Sequence, residues 1–168
     1  MQTAARIELL HRMPIFGAIR DDALEFIVDQ TRSVAVGAGS YFFRQDEPAG
    51  SMFVLESGRV AVLRIWQGRE QLVRTLGQGD CFGEMALMDL LPRSASVRAE
   101  EDCSALELLP ATLLALFERD AEQFALIQMN MGREVCRRLR ETDELLFRAR
   151  LGELPAPMAP AAHAFGST

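Results

Sequence analysis

The chain carries 168 residues, 49% of them hydrophobic, with a formal net charge of −6 at neutral pH. That length suits one well-buried domain with an appended helical element and leaves too little chain for two full domains. The acidic balance argues against a general affinity for nucleic acid, which shows as a basic surface excess, and no apolar run is long enough to span a bilayer.

Residues 1–6 lead into an amphipathic pattern rather than a signal-peptide core, so a soluble cytoplasmic protein without membrane contact is expected. Cys81, Cys103 and Cys136 show no C-x-x-C spacing, and His11 and His163 sit near opposite ends. The thiols are read as reduced and mostly buried, and a zinc site or a metal-assisted hydrolase has no ligand cluster to build on. No enzymatic activity is expected.

From Ile7 to Gln30 the apolar residues Ile7, Leu10, Leu24, Ile27 and Val28 fall at helical intervals interrupted by Pro14. The spacing predicts a lead-in of two helices over residues 1–30, with a turn at 13–17, Phe16 as a core anchor and Asp21 or Asp22 capping the second helix. Between Thr31 and Leu109 the period shortens, and glycines 37, 39, 50, 58, 68, 77 and 79 cut the segment into short pieces rich in Val, Phe, Leu and Ile. That pattern predicts an antiparallel sandwich or barrel over 31–109, with strands near 31–36, 41–44, 51–57, 59–66, 70–76, 94–100 and 103–109. Gln67-Gly68 is the hairpin turn and 46–50 a loop. Tyr41 and Trp66 could stack on a base, but aromatics in short strands are more often core or flank, and neither is assigned a role.

The run Phe82-Gly83-Glu84-Met85-Ala86-Leu87, followed by Pro92-Arg93-Ser94-Ala95, reads as a pocket for a small anion attached to a sugar. Gly83 lets backbone approach a ligand closely, and residues 84–87 can start a helical turn whose free N–H groups and positive end favour a phosphate. Arg93 offers a planar fork of donors that matches two phosphate oxygens, Ser94 adds a hydroxyl donor, and the Ala95 N–H follows with no side chain in the way. Pro92 fixes the chain just before the arginine. A carboxylate repels a phosphate, so Glu84 is expected to accept from a sugar hydroxyl, and a ribose 2′-OH fits. The plain alternative is a hairpin connection with a surface ion pair between Glu84 and Arg93.

These residues resemble the phosphate-binding cassette of the cyclic nucleotide-binding domain family, F-G-E-[LIM]-A-L, a short insert, then P-R-[STA]-A. Leu9-Leu10 with Pro14-Ile15-Phe16 is similar to that family's helical lead-in, and 39–48 and 52–60 are similar to its barrel strands. The resemblance implies a jelly-roll β-barrel flanked by N-terminal helices and a long C-terminal helix, an α+β fold. It also implies a ligand site at Phe82, Gly83, Glu84, Met85, Ala86, Arg93, Ser94 and Ala95, with Glu84 on the ribose 2′-OH and Arg93 on the cyclic phosphate.

Pro110 opens a helical region, 110–151, with a break near Asp120. Met131, Val135, Leu139, Thr142, Leu146 and Ala149 follow spacings of three and four, set against a flank of arginines and glutamates that can pair along the helix. A seam this long suggests a symmetric helix pair in a homodimer, with bridging through Cys136 left open. Thr142 breaks the stripe, as a half-exposed packing residue or as a partner for a base edge. The segment 136–143 resembles the R-R-L-x-x-T-S stretch of bacterial catabolite activator proteins, whose threonine and serine contact adenine. The resemblance adds Arg138, Thr142 and Asp143 to the site, although Asp143 stands where the family has serine. Adenine is favoured over guanine, while Ser94 occurs in relatives of either preference.

Residues 152–168 are rich in proline and alanine and read as a disordered tail rather than a DNA-reading helix, so DNA binding by this chain is not expected. The leading reading is therefore a sensor that binds cAMP, or cGMP, as a regulatory ligand and signals through its C-terminal helix to a protein partner. The alternative is a ligand-free dimerisation and interaction module of the same fold.

Overall fold

The computed structural model describes residues 3–89 and 91–152, save the side chain of Ala86. The expected tail, apart from Gly152, lies outside the described residues, as does His163. The chain divides after Gly132 into two compact units.

The first unit opens with α1 (Thr3–His11), a 3-10 turn (Pro14–Phe16) and α2 (Asp21–Gln30). Leu10, Leu24 and Ile27 are almost wholly buried, as their helical spacing predicts, and so is Phe16, the expected anchor in the turn. Neither aspartate caps α2. Arg20 holds the cap position without a side-chain bond, and Asp21 and Asp22 fall inside the first turn, where negative charge suits the exposed N–H groups. Asp21 pairs with His11 at 2.7 Å and Asp22 with Arg20 at 3.1 Å.

Eight strands follow among the described residues: β1 (Arg32–Val36), β2 (Tyr41–Phe43), β3 (Met52–Ser57), β4 (Val60–Trp66), β5 (Arg69–Leu76), β6 (Cys81–Phe82), β7 (Ser96–Ala99) and β8 (Cys103–Leu108). They form two antiparallel four-stranded sheets, ordered β1-β8-β3-β6 and β2-β7-β4-β5. The expected α+β jelly roll holds, with one correction: the hydrogen bonding does not close into a barrel. At the β4–β5 turn Gln67 (φ 50°) and Gly68 (φ 73°) both take positive φ, which brings the strands back with the twist a tight hairpin needs.

Strand β3 is buried on both faces, and its alternation sorts two cores. Met52 and Val54 join the core shared with the helices, together with Leu106 and Leu108 of β8. Phe53 and Leu55 join the second core, with Val60, Phe82, Val97, Ala99 and Ala105. Helix α3 (Pro110–Arg119) and α4 (Ala121–Leu151) complete the set, broken at Asp120 as expected. Two buried amides tie the start of α4 to the N-terminal elements. Gln123 Oε1 accepts from the Arg20 N–H at 2.8 Å, and Asn130 Nδ2 donates to the carbonyls of Ile15 (3.3 Å) and Gly17 (2.8 Å).

On the helix side of the first sheet, buried Glu56 accepts from Arg6 Nε at 2.8 Å, from Ser104 Oγ at 2.9 Å and from Ser33 Oγ. Burial by itself would raise the Glu56 pKa, but the bonds from Ser33, Arg6 and Ser104 outweigh it and leave the carboxyl below its usual value. A depressed folded pKa gives stability that is present above the unfolded value and lost as pH falls through the folded one. Glu56→Gln should therefore be less stable than the wild type at neutral pH, with the gap closing below about pH 4. Urea melts at both pH values check this, and a gap independent of pH would assign the loss to packing.

In the second unit α4 runs on to Leu151 as an exposed helix. Glu134 is buried and holds Arg137 and Arg138, Arg137 also reaches Glu141, and Arg148 pairs with Glu144, so the flank pairs along the helix as expected. Val135, Leu139 and Leu146 stand 37%, 59% and 52% exposed, an apolar stripe open to solvent within this chain. Cys136 is exposed, unlike Cys81 and Cys103. Among the described residues no helix is long and apolar enough to cross a membrane.

Candidate ligand-binding site

Strand β6 is only two residues long, and it delivers Phe82 into the core between the sheets, where its ring stacks on Phe53 at 5.4 Å. The Phe82 side chain thus anchors the loop that follows instead of facing a ligand. Gly83 turns the chain at φ 77°, and Glu84–Leu87 forms a single 3-10 turn of four residues. So short a turn has little macrodipole, and its contribution to an anion rests on unsatisfied N–H groups rather than on a helix end. Glu84 is 6% exposed, Met85 is exposed, and exposed Ser94 donates to Met85 Sδ at 3.9 Å. Ala95 is half-buried.

Arg93 is the focus of the site. Its backbone pairs both ways with the 44–47 loop, the N–H with the Glu47 carbonyl and the carbonyl with the Asp46 N–H, each at 2.9 Å. The side chain is 7% exposed, so the guanidinium is held inside. Nη1 lies 3.4 Å from the Gly83 carbonyl and Nη2 3.5 Å from Ser51 Oγ, both long for such bonds. Nε is buried with no hydrogen-bond partner, and the guanidinium carbon sits 3.8 Å over the Phe43 ring. Among the described residues no ion pair involves Arg93. Burial pushes its pKa below the usual value, while the fields of Glu107, Glu47 and Glu84 pull it back up.

A buried cation with a bare donor and two stretched ones is costly unless something pairs with it. The surface ion pair weighed for Glu84 and Arg93 is therefore not what these residues form, since both side chains are buried. The expected Gly83, Glu84 and Arg93 do meet in one place, whereas Arg138, Thr142 and Asp143 belong to the second unit. There Thr142 Oγ1 donates to the Arg138 carbonyl at 2.9 Å and Asp143 is exposed. Phe43, Ser51 and the Glu47 backbone were not singled out by sequence. Their only signal was membership of the strand and loop that precede the cassette.

The model of the cyclic nucleotide-binding domain matches residues 33–120, just over half of the chain. The chain belongs to that family. The cyclic nucleotide-binding domain so defined includes the whole cassette and stops before the second unit. Among known proteins the chain is similar to the cyclic AMP receptor protein of Thermus thermophilus, 31% identical over 131 residues, which cover 77% of this chain and 59% of the relative. It is also similar to the cAMP-dependent protein kinase regulatory subunit of Emericella nidulans, 31% identical over 99 residues, covering 59% of this chain and 24% of that one. The crystal structure of the Thermus thermophilus catabolite activator protein superposes with a TM-score of 0.73 at 30% identity, covering 82% of this chain and 63% of that chain. The chain thus spans little more than half of the first relative and about a quarter of the second.

Proposed function

We propose that this protein is a cyclic nucleotide sensor: the cyclic phosphate seats on Arg93, the ribose 2′-OH on Glu84, and occupancy shifts the C-terminal helix toward a protein partner. The observation that carries this reading is the buried Arg93 guanidinium with its partnerless Nε, a cation arranged for an anion that the protein itself does not supply. The phosphate would also take the N–H groups opening the 84–87 turn and that of Ala95. Exposed Met85 and Ser94 shape the lip, while Phe82 anchors the loop from the core.

The favoured ligand is cAMP, with cGMP as the alternative, and relatives named for cyclic AMP support that order. The chemistry of Thr142 supports it too. Its hydroxyl already spends its proton on the Arg138 carbonyl, leaving lone pairs, and Asp143 offers only acceptors. Acceptors suit an exocyclic amine at position 6 of a purine and oppose a carbonyl there. Arg138 would hold this segment through Glu134. Isothermal titration with cAMP and cGMP tests the proposal: saturable binding with cAMP tighter is expected, and no binding of either at high micromolar ligand would reduce the chain to a ligand-free module.

Glu84→Gln should weaken cAMP binding by about 1–2 kcal/mol, because a neutral amide is a poorer acceptor for the 2′-OH than a carboxylate. The same change should barely affect a 2′-deoxy analogue, and equal losses for both ligands would place Glu84 elsewhere on the nucleotide. We also propose a homodimer through the Val135, Leu139 and Leu146 stripe. Sedimentation equilibrium should return twice the chain mass, and Leu139→Arg should return the monomer. An unchanged mass would discard the seam. Soluble, cytoplasmic signalling without membrane or DNA contact completes the reading.

A further inference from the structure

We propose that Phe43 is a positioning residue for the anion site: its ring is the shelf that holds the Arg93 guanidinium plane in the orientation a phosphate requires. The inference deepens the proposed function and rests on Arg93 being the phosphate ligand.

The contacts around Arg93 leave its direction underdetermined by hydrogen bonds. Among the described residues two protein acceptors touch the fork, at 3.4 and 3.5 Å, and neither involves Nε. Well-made bonds of this kind fall near 2.9 Å, so these two define the plane weakly. The Phe43 face lies 3.8 Å from the guanidinium carbon, which is stacking distance and fixes a plane rather than a line. Burial removes water as a competitor, so the ring quadrupole adds to the fields of Glu107, Glu47 and Glu84 in offsetting the desolvated charge.

A shelf must itself be rigid, and this one is. Phe43 packs on Phe53 and Phe82, each at 6.0 Å between ring centres, and Phe42 closes on the same two rings at 5.4 and 5.0 Å. Neighbouring residues of a regular strand face opposite ways. Here the register of β2 against β7 shifts between Tyr41 and Phe43, which lets both phenylalanines enter one ring cluster. Stacking on Phe43 engages the face of the guanidinium and uses none of its N–H donors. Phe43 therefore contributes nothing to the ligand directly and acts through Arg93.

Three variants and one resonance test this. Phe43→Leu keeps the position apolar and removes the π face, Phe43→Tyr keeps the face, and Arg93→Lys replaces the planar fork with a point charge. Phe43→Leu should weaken cAMP binding about tenfold, and Phe43→Tyr should restore most of it. In the Arg93→Lys background the same Phe43→Leu change should cost no more than about twofold, since there is no plane left to orient. In the unliganded wild type the Arg93 Nε proton resonance should be ring-shifted, and in Phe43→Leu the shift should vanish. Equal losses in the two backgrounds, or an unshifted Arg93 resonance in the wild type, overturns the shelf and leaves the anion site standing. A wild type that binds neither cAMP nor cGMP overturns the anion site and the shelf together.

Discussion

Replacing Arg93 by alanine is expected to weaken cAMP binding by about 2–5 kcal/mol, the usual cost of leaving a buried charge on one side of an interface without its partner. The unliganded protein should respond in the opposite sense. In the wild type Arg93 is 7% exposed, forms no ion pair among the described residues, and keeps a partnerless Nε. A buried unsatisfied donor costs about 1–3 kcal/mol, more when it is charged. Arg93→Met, which fills similar space without charge, should therefore leave the unliganded fold as stable as the wild type or more so, while losing affinity as alanine does. Chemical denaturation and calorimetry on the same two variants read both quantities. A variant that loses stability and affinity in step would make Arg93 a structural residue, and unchanged affinity would move the phosphate elsewhere.

The second large effect is expected at Gly83. Its φ of 77° lies in the left-handed region, where a side chain costs about 1–2 kcal/mol. The added Cβ would also stand 2.6 Å from Arg93 Nη1, 3.2 Å from the Ser51 carbonyl and 3.4 Å from the Phe43 ring. The arginine can swing aside and the backbone cannot, so Gly83→Ala should relieve its clash by pushing the guanidinium off Phe43. A loss of about 2 kcal/mol corresponds to a melting point lower by about 4–8 °C in a chain of this size, and nucleotide affinity should fall at least as far as in Phe43→Leu. Gly50→Ala is the control, since a Cβ there meets nothing within 4 Å. Normal binding by Gly83→Ala would show that the cassette does not hold Arg93 as described.

The parts of the fold that were legible in the sequence are those with a period or a punctuation mark. Seven strands lie between glycines and turn residues, and their predicted spans sit within two residues of the observed ones. Strand β6 has two residues, too few for any period, and was missed. Alternation left sandwich and barrel open, because the side-chain pattern is the same in a barrel and in two facing sheets, and the closed barrel came only from the family resemblance. Only the hydrogen-bond partners separate the two. At α2 an aspartate next to a helix start looks like a cap, but whether it is one depends on which residue leaves helical geometry, and here that is Arg20.

The site was legible where residue type alone carries the chemistry. A glycine that takes positive φ, an arginine fork and a carboxylate can all be read from their letters, and the structure places Gly83, Glu84 and Arg93 close together. Phe43 could not be found that way. Its orientation follows from a register shift between β2 and β7, a property of two strands more than fifty residues apart in the chain. Of the apolar stripe read from the sequence, Met131 is buried in the first unit's core, and Val135, Leu139 and Leu146 stand exposed in the single chain.

The most direct test is a crystal structure of the protein grown with cAMP. The account predicts a cyclic phosphate in the guanidinium plane of Arg93, about 2.7–2.9 Å from Nε and one Nη, with the Glu84 carboxylate on the ribose 2′-OH. A bound nucleotide whose phosphate lies away from Arg93, with Nε still buried and unpartnered, would contradict it.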